Sequence, residues 1–251
     1  GIIMSFSSWY KERKESWRKS YVKRKLRLRG GRKYKQEFYS EKLIYSLDGY
    51  PESSDISDHL STIFYHTLEA KPKLIIELGT RGGESTKALL AAAEIANCKV
   101  VSIDIEDCSN VKVKYQDRWK FIKADDVEFG KSKFTEWCRN NNLPEKADVI
   151  FIDTSHNYEH TVEEIDVWKN HLTEEGTLMF HDTNMGDGVY SRLDGSVKSG
   201  WNNGRGVIKG VEEFIKADYN ESGFFADYRN EFLVRHYPYC NGFTVLKRIK
   251  F

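Results

Sequence analysis

From residue 55 onward the chain alternates between two hydrophobic periods, and this alternation restricts its fold more than any other feature. Residues 74–78, 100–104, 121–124, 149–153 and 177–182 read as short apolar strands, while residues 55–69, 85–96, 133–140 and 160–172 carry helical spacing. Strands separated by helices pair in parallel through right-handed crossovers, which predicts an α/β, doubly wound sheet with helices on both faces. The C-terminal end departs from the pattern. Residues 231–236 and 242–249 are strand-like and joined only by residues 237–241, so an antiparallel hairpin is expected to close the sheet. A chain of 251 residues suits one such domain.

Charge divides the chain in another way. The net is only +1, yet residues 1–36 hold 13 Lys and Arg against 2 Glu, which marks a basic extension to a main domain of residues 37–251. Tyr10, Trp17, Tyr21 and Leu28 fall on one face of a predicted helix that Gly30 and Gly31 would end. Such a helix can touch an acidic membrane surface as a weak peripheral contact, or pack its aromatic face on its own domain or on a partner subunit of a homo-oligomer. Packing is the expected use. No nucleic acid partner is expected, because no RNA-binding motif accompanies the helix. No apolar run approaches the roughly 18 residues of a membrane span, and no secretory h-region opens the chain. Cys98, Cys108, Cys138 and Cys240 form neither a CxxC pair nor a metal-ligand spacing, so reduced thiols in a cytoplasmic setting are expected.

The segment IIELGTRGGEST, residues 75–86, joins a buried strand to a helix through a glycine-rich turn. Gly79, Gly82 and Gly83 permit torsions and a close ligand approach that a Cβ would block. Neither G-x-G-x-x-G nor G-x-x-x-x-G-K-[ST] is present, so the dinucleotide and phosphate-loop readings lose their support. Alone, the turn is also explained as a tight strand-to-helix connection. The second strand, however, ends at Asp104, 25 residues after Gly79, where a carboxylate can accept both hydroxyls of a ribose. The third ends in Asp125 and Asp126, where an adenine ring would extend. Glu77, Asp104 and Asp125 together would repel a pyrophosphate and suit a cationic sulfonium with a ribose and an amino-acid tail.

ELGTRGG resembles the first motif of class I S-adenosyl-L-methionine-dependent methyltransferases. Asp104, then FIDTSHNYEH, then EEGTLMFHDT follow in that family's order. The likeness runs over residues 72–183 and resumes in the closing hairpin. It implies a mostly parallel, seven-stranded Rossmann-like sheet with a C-terminal antiparallel hairpin. It also implies that Glu77, Gly79, Thr80, Arg81, Gly83, Ser85, Asp104, Asp125 and Asp126 hold S-adenosylmethionine. Within the family, the strand-four Asp-x-x-His and the strand-five pair look like the branch of metal-dependent sugar O-methyltransferases, including macrolide-sugar and rhamnosyl enzymes.

Asp153 and His156 follow the fourth strand, while His181 and Asp182 end the fifth. Neighbouring strands lie about 4.8 Å apart, so these side chains can converge on one small volume, as metal binding or proton abstraction requires. The resemblance implies Asp153 and Asp182 as ligands of a divalent ion, magnesium or manganese, and His156 as general base. His181 joins the candidate ligands but departs from the family's Glu, and imidazole suits a harder ion such as magnesium poorly. Each residue also has a plain role as a helix cap or turn residue. The glycine-rich stretch 183–206 is expected to be a lid over the acceptor, with Tyr190 and Trp201 available to stack on a sugar or to anchor the loop. The leading expectation is an O-methyltransferase acting on a sugar hydroxyl of a glycan or glycoside. The alternatives are an enzyme for a phenolic or other small natural product, and a non-catalytic module of the same fold.

Overall fold

The computed structural model describes residue 10, residues 13–21, residue 24 and residues 54–251. Leu28, Gly30 and Gly31, and the boundary expected near residue 36, lie outside the described residues. The main domain runs α1 (Leu60–Glu69), β1 (Leu74–Leu78), α2 (Glu84–Ala96), β2 (Lys99–Asp104), β3 (Trp119–Lys123), α3 (Asp126–Ser132), α4 (Phe134–Asn140) and β4 (Ala147–Ile152). It continues with α5 (Tyr158–Trp168), β5 (Leu172–His181), β6 (Val189–Ser191), β7 (Val197–Ser199), α6 (Gly206–Ile215), β8 (Phe225–Arg229), β9 (Phe232–Tyr237) and β10 (Phe243–Arg248).

The main sheet has the order β3-β2-β1-β4-β5-β10-β9-β8, parallel from β3 to β5 and antiparallel beyond. Side chains alternate across a strand, and the apolar residues of β1 divide accordingly. Leu74, Ile76 and Leu78 enter a core under α3 to α6, while Ile75 enters a second core under α1 and α2. The same division holds in β4, with Ile150 and Ile152 on one side and Val149 and Phe151 on the other. Both faces are therefore covered, which is why these strands are apolar throughout and the sheet is doubly wound.

Two elements differ from expectation. The hairpin at the C-terminal end gains an outer strand, β8, which pairs with β9 and makes the main sheet eight-stranded. Its turn, Asn230 and Glu231, has φ of 52° and 66°, the two left-handed residues that a two-residue hairpin needs. Glutamate in place of glycine hid this turn from the sequence. The expected lid is not structureless either: β6 and β7 form a two-stranded ribbon whose Arg192 is tied to Asp58 at 2.6 Å.

In the basic extension, residues 13–21 are helical and exposed, and Trp17 is 75% exposed. The aromatic face is thus not the one that meets the domain. A neighbouring face, with Lys14 and Arg18, lines a cavity shared with the ribbon.

Candidate active site

The turn after β1 is held by two carboxylates. Glu77 is fully buried, and its carboxylate accepts from the hydroxyls of Ser85, Thr86 and Ser102, each at 2.7 Å, with Thr80 more distant at 3.4 Å. Burial pushes its pKa up to about 7 against the opposing pull of those hydroxyls. Asp104 accepts from the amides of Thr80 at 2.7 Å, Arg81 at 3.3 Å and Glu106 at 2.9 Å. Gly79 has φ of 89°, and a Cβ there would stand 1.9 Å from the carbonyl oxygen of Asp153. Only glycine allows β1 and β4 to end so close together.

Beyond these strand ends lie two adjoining cavities. One, of about 340 Å³, is lined by Asp104, Ile105, Ala124, Asp125, Asp126 and His160 among others; a smaller one, of about 90 Å³, is lined by Asp55, Thr80, Arg81, Gly82, Glu84 and Ser85 among others. Gly79, Arg81 and Asp153 belong to both. Asp125 caps α3 by accepting from Glu128 N at 2.9 Å, whereas Asp126 is buried with its Oδ1 3.1 Å from His160 Nε2. The bond to Asp126 raises the His160 pKa, and burial beside Asp126 pushes Glu164 well up. Thr154 Oγ1 donates to Glu164 at 2.8 Å, so this network ties α3 and α5 to the turn after β4.

That turn carries the second group of site residues. His156 has φ of 63° and Asp182 of 62°, left-handed conformations that a non-glycine residue holds at some cost and that cluster at functional sites. Asn203 clamps both positions: its Nδ2 donates to the carbonyl of His156 at 3.1 Å and to that of Asp182 at 3.4 Å. Gly206 opens α6 against the same turn, where a Cβ would lie 2.8 Å from His156 O. His156 Nδ1 contacts the Asp182 carboxylate, and Arg81 Nη2 donates to His156 Nε2 at 2.9 Å. These partners define a neutral ring protonated on Nδ1, with the lone pair on Nε2.

His181 Nε2 lies 2.9 Å from Cys240 O, and a carbonyl can only accept, so this nitrogen carries the proton. Nδ1 then faces Asp153 Oδ2 at 3.6 Å and Asp182 Oδ1 at 3.4 Å. No hydrogen-bond partner serves His181 Nδ1, Asp153 Oδ1 or Asp182 Oδ1, although all three are buried. A lone pair facing two carboxylates in a buried site needs a proton or a cation between them. Burial opposes charge on His181, but Asp182 and Asp153 hold its pKa well above the ordinary imidazole value. Burial likewise opposes ionisation of Asp182, yet His181 and His156 hold it well below the usual carboxylate range. Among the described residues, Asp153, His181 and Asp182 form one of two groups whose ligand atoms converge closely enough for one metal ion, Asp126, His160 and Glu164 the other. A nitrogen whose ring partner donates to a backbone carbonyl, beside two carboxylates, fits a divalent ion.

Of the residues expected in the site, Gly79, Thr80, Arg81, Ser85, Asp104, Asp125, Asp126 and Asp153 line the two cavities, and His156, His181 and Asp182 meet beside Asp153; Gly83 lines neither cavity, and Glu77 is covered by hydroxyls. Ile105, Asp55, Asn203 and His160 were not foreseen. Only Ile105 left a sequence signal, as an apolar residue directly after the acid that ends β2 and 67% exposed.

Residues 76–183 match a family model described as a methyltransferase domain. No curated protein matches the chain in sequence. Among solved structures, the chain is similar to cofactor-bound Rv0187 from MTB, with 14% identity, a TM-score of 0.51 and coverage of 84% of this chain and 87% of that one. It is also similar to an O-methyltransferase from Bacillus cereus in complex with SAH, with 14% identity, a TM-score of 0.50 and coverage of 85% and 92%. The fold is a Rossmann-like α/β methyltransferase fold.

Proposed function

We propose that this chain is an S-adenosylmethionine-dependent O-methyltransferase that methylates a sugar hydroxyl of a glycan or glycoside. The observation that carries the reading is an adjacency. Asp153 lines both cavities, and its carboxylate lies 3.9 Å from the Nδ1 of His156. The larger cavity suits an adenosine, with Ile105 against the base and Asp104 at the ribose. The smaller one suits the amino-acid tail, with Asp55 for its ammonium and the backbone amide of Ser85, in the first turn of α2, for its carboxylate. Glu77 acts through the hydroxyls it holds rather than by direct contact.

S-adenosylmethionine supplies an electrophilic methyl group and leaves as S-adenosylhomocysteine. The residues on the other side prepare the oxygen. Asp182 accepts from His156 Nδ1–H and so fixes the ring with Nε2 free to take the hydroxyl proton. Arg81 occupies that nitrogen at 2.9 Å and must be displaced by the acceptor. Asp153, His181 and Asp182 would hold a divalent ion, whose chemistry is to lower the hydroxyl's pKa and fix its position. Trp201, 54% exposed and with its ring centroid 5.0 Å from that of His156, offers an aromatic face for a sugar beside the base.

The test is incubation with labelled S-adenosylmethionine and a panel of glycosides and catechols, with and without chelator. Methylation of a glycoside supports the reading. Transfer confined to catechols assigns the phenolic alternative, and S-adenosylhomocysteine binding without transfer to any acceptor assigns the non-catalytic one.

A further inference from the structure

We propose that the cavity between the N-terminal helical segment and the β6–β7 ribbon receives an anionic group, a phosphate or a carboxylate, on the acceptor sugar. This inference rests on the sugar-methylating reading above and names the chemical class of its substrate. The cavity measures about 460 Å³ and is lined by Lys14, Glu15, Arg18 and Lys19 from the helix and, among others, by Asp187, Gly188 and Trp201 from the lid.

Three observations favour an anion there. First, the local charge is positive. Lys14, Arg18 and Lys19 line the cavity against Glu15 and Asp187, an excess of one positive charge, and the one ion pair among them is that of Lys19 with Glu15 at 2.9 Å. Second, the lid is shaped for that approach. Gly188 has φ of 68°, and a Cβ there would stand 3.0 Å from Arg18 Nη2. Third, the cavity adjoins the chemistry, because Trp201 lines it and sets its ring edge-on to His156 at 5.0 Å. A sugar stacked on Trp201 can direct a hydroxyl to His156 and a charged substituent to Lys14 and Arg18.

The sequence adds a reason at longer range. The 13 Lys and Arg of residues 1–36 belong to a chain whose net charge is only +1. A helix that sets Lys14, Arg18 and Lys19 at the cavity raises the encounter rate of an anionic acceptor, and that attraction weakens with salt. The volume suits a small-molecule group, since ligand sites of this kind span about 300–1,000 Å³. A membrane or nucleic acid would instead be met across the outer face of the helix.

Isothermal titration of the full chain, saturated with S-adenosylhomocysteine, tests the proposal with sugar 1-phosphates, uronic acids and the corresponding neutral methyl glycosides. At least one anionic series is expected to bind ten times more tightly than its neutral counterpart, and the two arms separate phosphate from carboxylate. The double variant Lys14→Glu, Arg18→Glu should lose that tenfold preference, Lys14→Arg, Arg18→Lys should keep it, and both should bind S-adenosylhomocysteine as the parent does. Equal binding of neutral and anionic sugars, or an anionic preference that survives charge reversal, overturns the proposal. It is also overturned if charge reversal abolishes binding to phosphatidylglycerol vesicles while leaving sugar titrations unchanged. Failure of methyl transfer to every acceptor, with cofactor binding intact, instead removes the enzymatic reading on which it rests.

Discussion

The turn after β1 and the junction of β4 with β5 are both built around a pair of carboxylates, yet they are finished to different degrees. At the turn, the Glu77 carboxylate is held by three hydroxyls at 2.7 Å, and Asp104 accepts three backbone amides. At the junction, Asp153 Oδ1, His181 Nδ1 and Asp182 Oδ1 have no hydrogen-bond partner. A satisfied polar network is rigid without its ligand, whereas an unsatisfied one depends on what fills it. The turn is therefore a preformed platform, and the junction is completed by a proton or a cation.

The sharpest break in this comparison concerns His156, which sits at the junction and meets the turn only through Arg81. His156→Ala is expected to lower turnover about a hundredfold to ten-thousandfold, while calorimetry with S-adenosylhomocysteine gives an unchanged affinity. Full turnover in that variant would remove His156 as the base.

Glu77 tests the turn through pH. Its folded-state pKa is raised to about 7 by burial, so the folded protein keeps a proton that the unfolded chain has already released. The stability this contributes is fully present below about pH 4.5 and is lost as pH rises through 7, a change on the order of 3 kcal/mol. Glu77→Gln keeps the shape of the protonated acid and should flatten that part of the stability profile in urea titrations at pH 4.5 to 7. An unaltered profile would show that Glu77 does not titrate there.

A cation should distinguish the regions directly. If one fills the junction, manganese at a hundred times its dissociation constant stabilises the folded protein by about 2.7 kcal/mol, seen as a rise in Tm that Asp182→Asn abolishes and Asp104→Asn retains. No shift in the unmutated protein would leave a proton as the junction's occupant and transfer without metal.

The smallest effect is expected at Asp104. Because its oxygens already serve three amides, Asp104→Ala should weaken S-adenosylhomocysteine by about tenfold, or ~1.4 kcal/mol. Calorimetry showing equal affinity would mean that Asp104 only shapes the turn.

The sequence by itself determined the parallel, doubly wound core and the rank of acids and glycines along its carboxyl edge, because hydrophobic period and strand ends are local properties of the chain. Glu77, Asp104 and Asp153 could be placed at that edge since each lies at or just beyond the end of an apolar strand. Tertiary structure decided what those residues touch. Arg81 reaches His156 across 75 positions, His181 finds the carbonyl of Cys240 across 59, and Asn203 joins the turns of His156 and Asp182 from the loop just before α6. The same holds for β8, which pairs only because a left-handed Asn-Glu turn returns the chain, and for the helix face that meets the ribbon. Such contacts are fixed by where separate loops come back to one sheet edge, and no period in the sequence records that meeting.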